Sequence, residues 1–139
     1  MAALADEITR TPLARCLLGL PVMLYRRLDG TPVALEDRCA HRSFALSRGT
    51  LHGDTVVCGY HGACYDSTGQ CIQVPSQARV PPGAVVRTFA LRQIGKRVWI
   101  WMGNSTNPPT NVTTTPPPHH PTSPGWTTRP GFRPPSACT

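Results

Sequence analysis

The chain has 139 residues, 14 basic and 7 acidic side chains, 16 prolines, 6 cysteines and a formal net charge of +7. That length fits one ordinary domain with room for a tail and excludes a large multidomain enzyme. An apolar share of 40% excludes full disorder, and six cysteines are too sparse for a small disulfide scaffold.

In chain order, residues 3–9 hint at a short helix, and the segments from residue 13 to residue 102 read as β. Runs 13–18 and 22–28 are apolar and strand-like, separated by Gly19-Leu20-Pro21. Cys16, inside the first of these apolar runs, is expected in the core. Asp29-Gly30 is a hairpin turn signal, and residues 32–36 form the returning strand. A polar loop carrying Cys and His fills 37–49, a short strand 54–57, and a second Cys/His loop 58–62. A hairpin over 65–72 turns at Asp66-Ser67-Thr68-Gly69. Strands 84–92 and 96–102 close the series around the turn 93–95. In the first of these two, Val85, Arg87, Phe89 and Leu91 share one face, and Val86, Thr88 and Ala90 the other. The expected fold class is all-β.

Asn104 marks a change of composition. Residues 105–139 hold ten of the sixteen prolines and nine threonines, with few apolar residues. Proline cannot donate ladder or helix hydrogen bonds, so this stretch is expected to be a disordered, low-complexity tail behind a folded unit of 1–104. Within it, Asn111-Val112-Thr113 matches the glycosylation pattern, as does Asn104-Ser105-Thr106 at its start. Both read as chance, and His119-His120 as a solvated pair.

Charge is distributed unevenly. All seven acids (Asp6, Glu7, Asp29, Glu36, Asp37, Asp54, Asp66) precede residue 67, balanced there by seven arginines. The later cations are scattered along strands without aromatic interleaving, which argues against nucleic-acid binding. The first residues lack the basic and apolar segments of a signal peptide, and the longest apolar run, 16–24, is too short to span a bilayer. A cytoplasmic location with reduced thiols is therefore expected, without membrane attachment. In that compartment, closely spaced Cys and His suggest a metal rather than disulfides. Cys64 and Cys71, facing each other across the predicted hairpin, read as reduced structural thiols.

The residues that carry chemistry are Cys39-Ala40-His41 and Cys58-Gly59-Tyr60-His61. Each loop offers one thiolate and one imidazole. A single zinc ion could take two Cys and two His, but its usual ligand pairs are Cys with Cys and His with His on separate arms. Mixed arms suit a two-iron cluster, with both thiolates on one iron and both imidazoles on the other. Two ferric ions, two sulfides and two thiolates sum to zero with neutral imidazoles. Reduction then creates about one negative charge, against a start near −2 for an all-thiolate cluster.

This text resembles the Rieske iron–sulfur proteins. The matching stretches are Cys-Ala-His-Arg at 39–42, Gly-Asp-Thr-Val-Val-Cys-Gly-Tyr-His-Gly at 53–62, and Tyr-Asp-Ser-Thr-Gly-Gln-Cys-Ile-Gln-Val-Pro at 65–75. The resemblance implies one [2Fe-2S] cluster per chain, ligated by Cys39 and Cys58 on one iron and by His41 and His61 on the other. It also implies two antiparallel sheets with a small cluster-binding subdomain built from the two loops. High-potential members carry an extra disulfide-forming Cys in each loop. Here neither loop has one, which points to the low-potential class.

The flanks Ala-Leu-Ala-Asp-Glu-Ile, Gly-Leu-Pro-Val-Met-Leu-Tyr-Arg and Val-Trp-Ile-Trp-Met-Gly look like the N-terminal domain of vanillate O-demethylase and related ring-hydroxylating oxygenase subunits. The resemblance covers roughly residues 2–104. Such proteins usually begin with an aromatic-containing strand, where this chain has Met1, and continue into a larger domain. That domain holds a mononuclear iron bound by two His and a carboxylate. Beyond residue 67 this chain has no Asp or Glu to build it, so oxygenation by the chain alone is not expected. The implied role is one-electron transfer, from a flavin or iron–sulfur reductase to a mononuclear-iron oxygenase domain. On this reading the chain is a truncated or frameshifted oxygenase subunit. Two alternatives stand beside it: a stand-alone Rieske ferredoxin feeding a separate oxygenase, and a degenerate fragment without a cluster.

Overall fold

The structure, a computed structural model, describes residues 1–75, 77 and 79–103. The expected tail, with His119-His120 and Cys138, lies outside the described residues. Ten strands occur in the order β1 (Ala3–Leu4), β2 (Leu13–Leu17), β3 (Leu20–Arg26), β4 (Pro32–Glu36), β5 (Thr50–His52), β6 (Thr55–Val57), β7 (Cys64–Tyr65), β8 (Cys71–Gln73), β9 (Thr88–Ile94) and β10 (Arg97–Trp101). They form two antiparallel sheets, one of six strands ordered β1-β10-β9-β4-β3-β2 and one of four ordered β5-β6-β7-β8. The all-β expectation holds, and no helix among the described residues is long and apolar enough to cross a membrane.

Strand β3 shows why the sheets stack. Val22, Met23, Leu24 and Tyr25 are all fully buried, so both faces of this strand are covered. Val22 and Leu24 join Ile8, Ala34, Phe89 and Val98 in one core. Met23 and Tyr25 join Leu35 in a second core, against Leu46, Val56 and Tyr65 of the smaller sheet and its loops. Each such side chain contributes about 1.5–3 kcal/mol on leaving water, and the second core is what seats the smaller sheet.

A polar contact locks the same seam. Asp54, in the β5–β6 turn, accepts the Leu28 N–H at 2.7 Å and guanidinium bonds from Arg10 and Arg27 at 3.1 and 3.4 Å. The Tyr25 hydroxyl donates to the Asp54 carbonyl at 3.3 Å, and burial pushes that phenol up to about 12. The β3–β4 turn thus holds the far end of the smaller sheet.

Four differences from the sequence reading have physical reasons. Residues 3–9 are not helical: Ala3 and Leu4 pair with Val98 and Arg97, and the Ala2 and Ala5 N–H groups donate to Val98 and Lys96 carbonyls. A two-turn helix leaves most of its own backbone groups unsatisfied, whereas the sheet edge supplies partners. Cys16 is exposed rather than in the core, because β2 is an edge strand with an alternating pattern that turns Cys16 outward. The strand expected from residue 84 begins at Thr88. Upstream, the Val86 N–H bonds the Gly69 carbonyl and the Ala84 carbonyl accepts from Cys71, so this segment is tied to the β7–β8 hairpin instead. Strand β5 and the 3₁₀ turn Leu46–Arg48 carry no periodicity long enough to announce them.

Candidate metal centre

The two Cys/His loops have the same backbone. In the first, the Cys39 N–H donates to the Phe44 carbonyl and the Ser43 N–H to the Cys39 carbonyl, both at 2.8 Å. In the second, the Cys58 N–H donates to the Ala63 carbonyl at 2.8 Å and the Gly62 N–H to the Cys58 carbonyl at 3.0 Å. Each loop therefore closes between its Cys and the fifth residue after it. The fourth residue takes a left-handed conformation in both, φ 52° at Ser43 and φ 71° at Gly62. Gly62 fits this position, and a Cβ there would also meet the Pro75 ring at 3.0 Å.

This turn aims N–H groups at sulfur. The second and third residues after each Cys, His41 and Arg42 in one loop and Tyr60 and His61 in the other, donate backbone hydrogen bonds to its thiol. Both thiols are buried, Cys39 at 3% and Cys58 at 2% exposure, and they lie within hydrogen-bonding reach of each other. Burial pushes the Cys39 thiol up, but the Tyr65 hydroxyl, the His41 N–H and Cys58 outweigh it and hold the thiol below its ordinary value. Burial and the adjacent Cys39 push the Cys58 thiol up. Each thiol feels the other's charge, so ionising one disfavours ionising the other.

The imidazoles also meet. His41 Nδ1 and His61 Nδ1 are 3.1 Å apart, with ring centroids at 4.8 Å, and both side chains are exposed. All four residues singled out by spacing are thus brought together, as a buried pair of thiols and an exposed pair of imidazoles. Among the described residues no three His, Cys, Asp or Glu side chains gather as a single-ion nest. Two pairs of donors, one of soft sulfur and one of imidazole, match the mixed donor set of a two-iron cluster.

Several supporting residues are not evident from spacing. The Tyr65 hydroxyl is 3.2 Å from Cys39 Sγ and accepts the Ala40 N–H at 3.1 Å. Its phenol is raised, first by burial and then by Cys39. Asp37, 7% exposed, accepts the Ser47 N–H at 2.7 Å and the Ser47 hydroxyl at 2.6 Å, which fixes the base of the first loop. With Asp37 engaged there, Arg42 is exposed and has no ion-pair partner among the described residues. At Gly59 a Cβ would meet the Arg48 carbonyl at 3.0 Å, so this glycine lets the loops approach. Cys64 and Cys71 are free thiols bonded to the Gly62 and Gln73 carbonyls. A cavity of about 290 Å³ adjoins Cys71, lined also by Ala40, His41, Ala63 and Tyr65 among others.

Comparison with known proteins places the chain in a family. The Rieske [2Fe-2S] domain family matches residues 1–90. The iron-sulfur subunit of the toluene-4-sulfonate monooxygenase system of Comamonas testosteroni is 38% identical over 118 residues, 85% of this chain and 33% of that protein. The oxygenase component of dicamba O-demethylase from Stenotrophomonas maltophilia is 39% identical over 105 residues, 75% of this chain and 31% of that protein. The crystal structure of dicamba monooxygenase superposes with a TM-score of 0.72 at 39% identity, covering 76% of this chain and 34% of that one. The chain thus spans about a third of the length of the relatives it matches.

Proposed function

The chain belongs to the Rieske [2Fe-2S] domain family, and from that premise we propose that it carries single electrons as the electron-transfer part of a non-haem iron oxygenase. In this reading Cys39 and Cys58 hold one iron through sulfur, and His41 and His61 hold the other through imidazole nitrogen. The observation that carries it is the segregation of donors into a buried thiol pair and an exposed imidazole pair 3.1 Å apart. When bound, such a cluster supplies a one-electron couple at roughly −150 to +300 mV.

The chain's own residues prepare that site. Backbone N–H groups of residues 41, 42, 60 and 61 favour the sulfurs as anions. Leu46, Val56 and Tyr65, all buried, keep water from the thiols. His41 and His61 face solvent, so an electron enters and leaves on their side. The donor is a flavin or iron–sulfur reductase in a reducing, cytoplasmic compartment. The acceptor is the mononuclear iron site of an oxygenase domain. Residues 1–104 are the carrier and 105–139 an appendage.

Anaerobic purification with iron analysis, visible absorption and electron spin resonance tests the reading. About two irons per chain and a reduced Rieske signal are expected, lost on Cys39→Ser or His61→Ala. A colourless, iron-free protein that folds normally overturns it. The same spectra on a chain ended after Asn104 test the proposed division.

A further inference from the structure

Building on the electron-carrier reading, we propose that Asp37 tunes that carrier: its buried negative charge, at the base of the first loop and without a counter-cation, opposes the incoming electron and holds the reduction potential low. Among the described residues Asp37 is the one buried charged side chain, at 7% exposure. Both of its oxygens accept from a single residue, Oδ1 from the Ser47 N–H at 2.7 Å and Oδ2 from the Ser47 hydroxyl at 2.6 Å. The ion pairs of Arg10, Arg15 and Arg27 go to Glu7, Asp29 and Asp54, and none among the described residues reaches Asp37. Taking a carboxylate out of water without a cation is costly, and hydrogen bonds offset only part of that cost. Stapling the loop does not require the charge. Asn offers the same acceptor to the Ser47 N–H, and its amide can donate to the Ser47 oxygen.

Asp37 is placed to act on the thiols. It precedes Cys39 by two residues, so their Cα atoms are at most about 7.6 Å apart. Asp37 and Cys39 are both buried while Arg38 between them is exposed, so the two side chains turn inward and the arginine does not. The other end of the staple leads to the same place: Ser47 follows Leu46, which is fully buried in one core with Cys39 and Cys58. The Asp37 N–H donates to the Pro21 carbonyl of β3 at 2.9 Å, so the backbone under the charge is fixed as well. Reduction adds about one negative charge, and a fixed anion nearby makes that step less favourable. Over about 8–12 Å, at an effective dielectric near 20, one unit charge shifts the equilibrium of another by about ten- to thirtyfold. Arg38, Arg42 and Arg48 are exposed, so water and salt screen them far more than Asp37. No bond forms or breaks in this role. One electron arrives from the reductase and one leaves for the oxygenase iron, and Asp37 biases only the equilibrium between the two states.

Redox titration of the cluster-loaded chain at neutral pH, followed by visible absorption, tests this. Asp37→Asn, which removes the charge and keeps the staple, should favour the reduced state by about tenfold or more, a rise of about 59 mV or more for one electron. Ser47→Ala keeps the charge and removes one bond. It should lower the urea midpoint of the loaded chain while the redox equilibrium stays within about threefold. Asp29→Asn, which removes an exposed carboxylate at the β3–β4 turn, should change the equilibrium by less than about twofold. If Asp37→Asn does not take up the cluster, Asp37→Ser, also neutral, should shift the potential in the same direction. An unchanged potential in the neutral variants, an equal rise in Ser47→Ala or Asp29→Asn, or loss of the cluster from both Asp37 variants overturns the proposal. Failure of the electron-carrier reading looks different: the parent chain itself then gives no Rieske signal and no one-electron couple to titrate.

Discussion

The Tyr65 hydroxyl sits between the Cys39 sulfur and the Ala40 N–H, 3.2 Å from the first and 3.1 Å from the second. A thiolate has no proton to give, so against ionised Cys39 the hydroxyl is the donor. A donor aimed at a sulfur that gains negative charge on reduction stabilises the reduced state more than the oxidised one.

Tyr65→Phe should therefore lower the reduction potential of the loaded chain. A loss of about 1–2 kcal/mol of differential hydrogen bonding corresponds to about 50–100 mV for one electron. Redox titration followed by visible absorption reads it, with iron content unchanged. An unchanged potential shows that the hydroxyl does not act on sulfur.

The shared loop turn makes opposite demands on its two left-handed residues. Gly62→Ala adds a Cβ at φ 71° against the Pro75 ring, and should destabilise the chain by about 1–2 kcal/mol. Ser43 already bears that strain at φ 52°, so Ser43→Gly relieves it while loosening the unfolded chain, and the two nearly cancel. Urea midpoints should separate the variants clearly. Equal losses at both positions contradict the congruence of the loops.

Acid should weaken the seam between the sheets. The Leu28 N–H holds the Asp54 carboxyl below its ordinary 3.8, against a smaller burial effect, with Arg10 and Arg27 assisting. A carboxyl whose folded value is depressed stabilises the fold above its unfolded value, and that contribution disappears as pH falls through the folded one. The loss of stability thus lies below about pH 3.8. Asp29, held low chiefly by Thr31, acts in the same direction. Asp54→Asn should be less stable at neutral pH and should show a flatter acid limb in thermal melts. A limb as steep as the parent's assigns acid sensitivity to other groups.

The two loops were legible in sequence because Cys/His spacing is local, and so were β2, β3, β4 and β10, whose apolar runs are long enough to show a period. Tyr65 was legible only as a strand residue. Its role depends on the β7–β8 hairpin folding under the first loop, a contact spanning 26 residues that no local pattern encodes. The two-residue β1 is strand because Val98 is there to pair with it, not because of its own sequence. Cys16 shows the converse: an apolar run is the same text on an edge strand as in a core, and only sheet order tells them apart.

Burial of the sulfurs and exposure of the imidazoles give the domain a single door. The thiol side is closed by Leu46, Val56 and Tyr65, whereas both histidines open on the same surface. In the electron-carrier role proposed above, a protein that delivers an electron and one that collects it would compete for one landing place, so that an excess of either visitor would slow the other.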